Sequence, residues 1–215
     1  MPNSISRDSI SNHVLKRLSA DDFALLEPHL RAVDLPVRKM LEVRDKKIDT
    51  VYFMESGMAS VVANGSDKPS IEVGIIGREG MSGLSVVLGA DRPPNETFIQ
   101  IAGKGLWLKA AELRKAIQKS PSLHRSMLRF AHEFLAQTTE TALANGRSKI
   151  EERLSRWLLM ADDRVDGNEL PLTHEFLSMM LGVQRSGVSH PPARLKVCRI
   201  ALRRGSTVQV PQKNR

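Results

Sequence analysis

From His13 to Val33 the apolar positions keep helical intervals: Phe23, Leu26 and Leu30 share one face, and Ser19 with Asp22 three residues on fits a capping pair. Pro28 disturbs the run. The period then shortens. Residues 33–37, 50–53, 59–62, 70–75, 97–101 and 106–108 are rich in β-branched and aromatic side chains. They recur about every 10 to 20 residues between turn signals such as Glu55-Ser-Gly57 and Asn64-Gly-Ser-Asp67. This spacing predicts a β-roll of jelly-roll type.

Beyond Lys109 the period lengthens again. Ala111 to Gln118 predicts a short helix ended by Ser120-Pro121. Leu123, Met127, Phe130, Phe134, Thr138 and Thr141 then step by four, three, four, four and three, a heptad-like seam. A helix of about 24 residues spans roughly 36 Å and suits a two-chain coiled coil, with packing on the chain's own β-roll as the competing reading. Ile150, Leu154, Trp157, Leu158 and Ala161 mark another amphipathic helix, which Asp166-Gly-Asn168 ends.

Residues 170–189 have the anatomy of a helix-turn-helix. Thr173 is placed to cap the first helix, with Leu172 and Leu177 as its hydrophobic staple. Phe176, Leu177 and Met180 face inward, Gly182 falls at the tight turn, Ser178 lets the helices cross closely, and Val188 buries beneath the pair. In that frame Gln184, Arg185, Ser186, Ser189 and His190 project toward the major groove, and Thr173 joins them at the first cap. Arg185 is the best base reader, because its planar fork donates two bonds to guanine O6 and N7, a pairing worth about 1–3 kcal/mol of discrimination.

Charge sharpens this picture. The formal net charge of the 215 residues is +8, yet residues 1–189 hold 25 basic against 24 acidic side chains. The other seven positive charges fall in the last 26 residues, which contain no acid. The single cysteine, Cys198, excludes an internal disulfide and a multi-cysteine metal or iron-sulfur site. No run reaches the roughly 18 to 20 apolar residues of a membrane span, and Met1 to Asn12 lacks the apolar core of a secretory signal, so a cytoplasmic location is expected. The six histidines show no ligand spacing, and Gly103-Lys-Gly105 lacks the rest of a nucleotide loop. Catalysis, a metal and a cofactor are therefore not expected.

Tyr52–Gly57, Gly77–Gly83, Arg153–Leu159 and the segment 172–189, in that order, resemble Crp/Fnr-type transcription regulators over residues 13 to 189. The resemblance implies an α+β chain: a cyclic-nucleotide-binding-like β-roll over 1–120, a dimerisation helix over 121–146, and a helix-turn-helix domain over 147–215. It implies a homodimer on a two-fold-symmetric double-stranded DNA site, a small-molecule effector, and RNA polymerase as a further partner. The effector pocket would fall at Gly80, Met81, Ser82, Gly83, Glu96 and Thr97.

Two departures matter. Members that bind cyclic AMP carry a Gly-Glu pair for the ribose and an Arg before Ser or Thr for the phosphate. Here Met81 follows Gly80, and Glu96 precedes Thr97, so an acid would repel a phosphate and tight cyclic AMP binding is not expected. The second is the tail. A member would continue the reading helix about two turns past His190 into a β-hairpin wing, whereas Pro191 and Pro192 would each cost about 3 kcal/mol or more in a helix interior. Residues 190–215 thus read as an atypical basic tail from a shifted reading frame or a degraded gene end, with the wing absent or disrupted. The rival class is a sensor or interaction module of the same fold that has lost DNA binding.

Overall fold

Side-chain caps start the first elements of the chain. The computed structural model describes residues 5, 7–64, 70–165, 169–171, 174–181 and 207–209. Asn12 accepts from the Leu15 amide at the head of α1 (His13–Lys16), and Ser19 accepts from the Asp22 amide at the head of α2 (Ala20–Leu26). Pro28 sits in a tight 3-10 turn, and β1 (Arg31–Leu35) begins directly after it. There follow β2 (Met40–Glu42), β3 (Thr50–Met54), β4 (Met58–Ala63), β5 (Ile71–Ile76), α3 (Leu84–Val87), β6 (Glu96–Ile101) and β7 (Gly103–Lys109). The helices α4 (Ala110–Lys119), α5 (Pro121–Arg147) and α6 (Ile150–Asp162) come next, then β8 (Glu169–Pro171), α7 (His174–Leu181) and β9 (Thr207–Gln209).

The strands form two antiparallel sheets, β1-β7-β3 and β2-β6-β4-β5, and their inner faces meet in one core through Leu35, Val51, Phe53, Val61, Ile99 and Leu106. This is the expected roll. Two elements were not expected: β2, whose register with β6 is irregular between Met40 and Glu42, and α3. Gly83 opens α3 with φ of +82°, a left-handed conformation that its missing Cβ permits. The strand β9, inside the basic tail, pairs with β8 so that Leu170 faces Val208. That pairing was not expected either; Thr207 and Val208 are β-branched and suit a strand.

The long helix corrects one expectation. Leu123, Met127 and Phe130 are buried in the core of the chain's own β-roll, and Phe134 packs against it. Two glycines make this close approach possible. A Cβ on Gly80 would fall 2.5 Å from Phe130 Cε2, and one on Gly74 would fall 2.8 Å from Phe134 Cζ. The stripe read as a seam for a second chain is therefore largely occupied at home. Thr138 and Thr141 continue it with hydroxyls that donate to the carbonyls of Phe134 and Gln137. Gln137 reaches the free edge of β5, where its Oε1 accepts from the Ile75 amide at 2.7 Å and its Nε2 donates to the Ile75 carbonyl at 3.1 Å. Turned away from the core, α5 carries Leu128, Leu135 and Leu143, respectively 38%, 64% and 51% exposed.

Among the described residues, no helix is long and apolar enough to cross a membrane.

Candidate functional site

Along its docked stretch α5 walls a cavity of about 500 Å³ whose lining is mostly apolar. The floor comes from Val61 on β4, Ile76 on β5 and Met81 beyond it; α3 supplies Leu84 and Ser85, and Leu88 follows as its C-cap. The helix adds Leu128, Ala131, Phe134, Leu135 and Thr138, with His132 at the rim. Pro93, Pro94 and Asn95 close the approach to β6. Such a volume lies within the roughly 300–1,000 Å³ range of small-molecule sites, which are largely apolar with a few placed polar groups.

The placed polar group here is Glu42. Its Oε2 accepts from the Thr97 hydroxyl at 2.8 Å and its Oε1 from the Gly83 amide at 3.2 Å. Burial pushes its carboxyl above the usual carboxylate range, and these two hydrogen bonds oppose the shift. No lysine or arginine lines the cavity among the described residues.

The residues expected at an effector pocket scatter in part. Met81 and Thr97 line the cavity. Gly80 lies beneath Phe130, and Gly83 turns the chain into α3 while its amide holds Glu42. Ser82 is buried, and its hydroxyl accepts from the Tyr52 amide at 3.0 Å, a structural bond. Glu96 pairs across to Val62 and is not a lining residue. The acid at the cavity is thus Glu42, which sequence reasoning missed, since it sits in a three-residue strand with no recognisable motif.

On the other face of the second sheet the β-roll meets the C-terminal helices. Met58, Ile75 and Ile101 form a second core with Leu154, Trp157 and Ala161 of α6 and with Leu177, Met180 and Leu181 of α7. Phe176 is buried as well, its ring 6.2 Å from that of Phe98 on β6. The inward face expected of the first helix of the helix-turn-helix is therefore present. Polar ties reinforce the joint: Arg164 pairs with Glu79 at 2.6 Å, Arg156 donates to the Thr141 hydroxyl at 3.2 Å, and Arg153 donates to the Leu181 carbonyl. At the centre the Trp157 indole donates to Glu72 Oε1 at 2.6 Å, and the Ser60 hydroxyl donates to the other oxygen. Burial pushes the Glu72 carboxyl up to about 7 despite both bonds.

Thr173, Gln184, Arg185, Ser186, Ser189 and His190 lie outside the described residues, as do Leu172, Gly182, Val188, Pro191 and Pro192. Among the described residues no three His, Cys, Asp or Glu side chains gather as a metal site would require.

This arrangement defines a class: a β-roll of cyclic-nucleotide-binding type joined through a long helix to a helical C-terminal domain. Solved structures of that class superpose over most of the chain. A transcriptional regulator of the Crp/Fnr family from Eubacterium rectale matches with a TM-score of 0.69 at 13% identity, over 95% of each chain. The c-di-GMP-responsive global regulator CLP of Xanthomonas campestris matches with a TM-score of 0.68 at 16% identity, over 91% of this chain and all of its own. FixK2 of Bradyrhizobium japonicum matches with a TM-score of 0.65 at 15% identity, over 85% of this chain and 93% of its own. No family model matches the sequence, and no curated protein does. Over its described residues the chain has the fold of the Crp/Fnr transcription regulators, a cyclic-nucleotide-binding-like roll followed by a long helix and a helical C-terminal region.

Proposed function

We propose that this protein is a sequence-specific DNA-binding transcription regulator that acts as a cytoplasmic homodimer. Its β-roll (1–120) is the sensor, 121–146 the dimerisation helix and 147–215 the reading domain. The observation that carries this reading is the packing of α7 and α6 directly on the sensor sheet, which gives an effector in the roll a physical route to the reading head. Double-stranded DNA is the principal partner and RNA polymerase a further one. The cavity beside α5 is the effector seat, and the acid within it argues against cyclic AMP as the effector.

The dimer uses the outward face of α5 in place of the buried stripe. Leu128, Ala131, Leu135, Thr138 and Ala142 step by three, four, three and four, the heptad spacing of a two-helix seam, with Thr138 at the border that this face shares with the docked stripe. Replacing Leu135, 64% exposed, by arginine is expected to convert the dimer to monomer in light scattering with the fold intact by circular dichroism. A wild-type mass of one chain would remove the dimer.

A gel shift tests the DNA reading on a two-fold-symmetric site with half-sites about 10 bp apart, one helical turn. Arg185→Ala is expected to relax base preference at one position per half-site, a loss of about 1–3 kcal/mol in discrimination there. Uniform weakening on all sequences would instead reduce Arg185 to a phosphate contact. The near-neutral charge of residues 1–189 and the prolines at 191 and 192 favour a second reading, a sensor that no longer binds DNA. Absence of any shift at low salt would select it.

A further inference from the structure

The cavity beside α5 has a chemical character that narrows what fills it. Its lining is dominated by Val61, Ile76, Met81, Leu84, Leu128 and Leu135, so an occupant gains most by burying an apolar body. One carboxyl, Glu42, faces that space. It has already accepted one bond on each oxygen, from Thr97 and Gly83, and a carboxylate has about four lone-pair sites, so each oxygen retains acceptor capacity. Among the described residues the lining carries no lysine or arginine to balance a second negative charge, and its one titratable base is the His132 imidazole at the rim. A phosphate or carboxylate brought beside Glu42 would face like charge in a poorly solvated site, whereas an amine or hydroxyl would find an unused acceptor. Leu128, Ala131, Leu135 and Thr138 line the cavity and also belong to the seam proposed above, so a second copy docked on that seam would lie beside the occupant.

We propose that the cavity between Glu42 and the outward face of α5 binds an apolar small molecule ending in a hydrogen-bond donor, an amine or a hydroxyl, and excludes anionic ligands such as nucleotides. The inference rests on reading the β-roll as the sensor, but its chemistry is tested without DNA.

The experiment uses the full-length protein and Nile red, a neutral apolar dye, displaced in turn by decylamine, decanol, decanoate and cyclic AMP. The dye is expected to bind with a blue-shifted emission. Decylamine and decanol should displace it, decanoate should be about tenfold weaker or worse, and cyclic AMP should leave the dye in place. Glu42→Gln should retain dye binding and bring decanoate to the level of decanol. Ser85→Trp, which places a large ring in the cavity from α3, should abolish dye uptake while leaving the unfolding midpoint in urea unchanged. Displacement by cyclic AMP or decanoate as effective as that by decylamine would overturn the proposal, and so would dye uptake unaffected by Ser85→Trp. The two readings separate cleanly. Loss of the gel shift with this ranking intact would refute the regulator and leave the ligand class standing; the converse result would do the opposite.

Discussion

Replacing Phe130 by alanine is expected to lower the unfolding free energy by about 3–5 kcal/mol, the range for truncating a buried aromatic side chain. The ring is 5% exposed, lies against Gly80, and tilts against Phe134 with centroids 6.2 Å apart. Its loss opens a void where α5 docks on the roll. Leu135→Ala on the same helix removes a side chain 64% exposed and should cost the isolated chain little. Urea unfolding at several protein concentrations separates the two effects. The Phe130→Ala deficit should be independent of concentration, whereas any deficit in Leu135→Ala should vanish on dilution, because association stabilises by mass action. Gly80→Ala offers a coupled check: it should destabilise the wild type, where Phe130 crowds the new methyl, and cost less in the Phe130→Ala background. Equal losses for Phe130→Ala and Leu135→Ala at every concentration would contradict the assignment of the two faces.

Glu72→Gln is expected to stabilise the protein at alkaline pH and to leave it unchanged in acid. The folded carboxyl titrates at about 7 against an ordinary value of 4.5, so between those values the folded state keeps a proton that the unfolded chain releases. Stability contributed by this site is therefore full below about pH 4.5 and falls as pH rises through 7, a loss of about 3 kcal/mol. Glutamine preserves an acceptor for the Trp157 indole and a donor for Ser60 but carries no charge to bury. Arg153 and Arg156 line the small cavity beside Glu72, yet each already donates elsewhere, to the Leu181 carbonyl and the Thr141 hydroxyl. Urea titrations from pH 5 to pH 8.5 on both proteins check the point. A difference between wild type and Glu72→Gln that does not grow with pH would show that Glu72 ionises normally in the folded state.

Glu72 also illustrates what the pattern along the chain could and could not disclose. The run from Ser70 to Ile75 reads as a strand, and the strand is there. The burial of Glu72 comes from Trp157, 85 residues away on α6, a contact that no local pattern announces. The same limit applies to α5. Its length and its start after Ser120 follow from Pro121 and the apolar period, but two stripes on one helix both keep heptad spacing. Which one docks at home is decided by Gly74 and Gly80 on the roll, a non-local fit of flat backbone to aromatic rings. The inward residues of α7 were legible because Phe176, Leu177 and Met180 satisfy helical spacing by themselves. The cavity was legible only in part: Met81 stood out after Gly80 and Thr97 after Glu96, through the family resemblance, whereas Glu42 sits in a strand of three residues with an irregular register.

The hydrogen bonds from Gln137 to Ile75 have a meaning for the behaviour of the protein in a crowded solution. The strand β5 is the rim of its four-stranded sheet, and a rim normally presents unpaired amides and carbonyls as a template on which foreign strands can grow. A side-chain amide from α5 occupies one such pair at Ile75 and mimics the neighbour that is missing. While the helix stays docked, ordered polymerisation through this rim is blocked at that pair. Changes that peel α5 from the roll would therefore expose an aggregation nucleus along with the core.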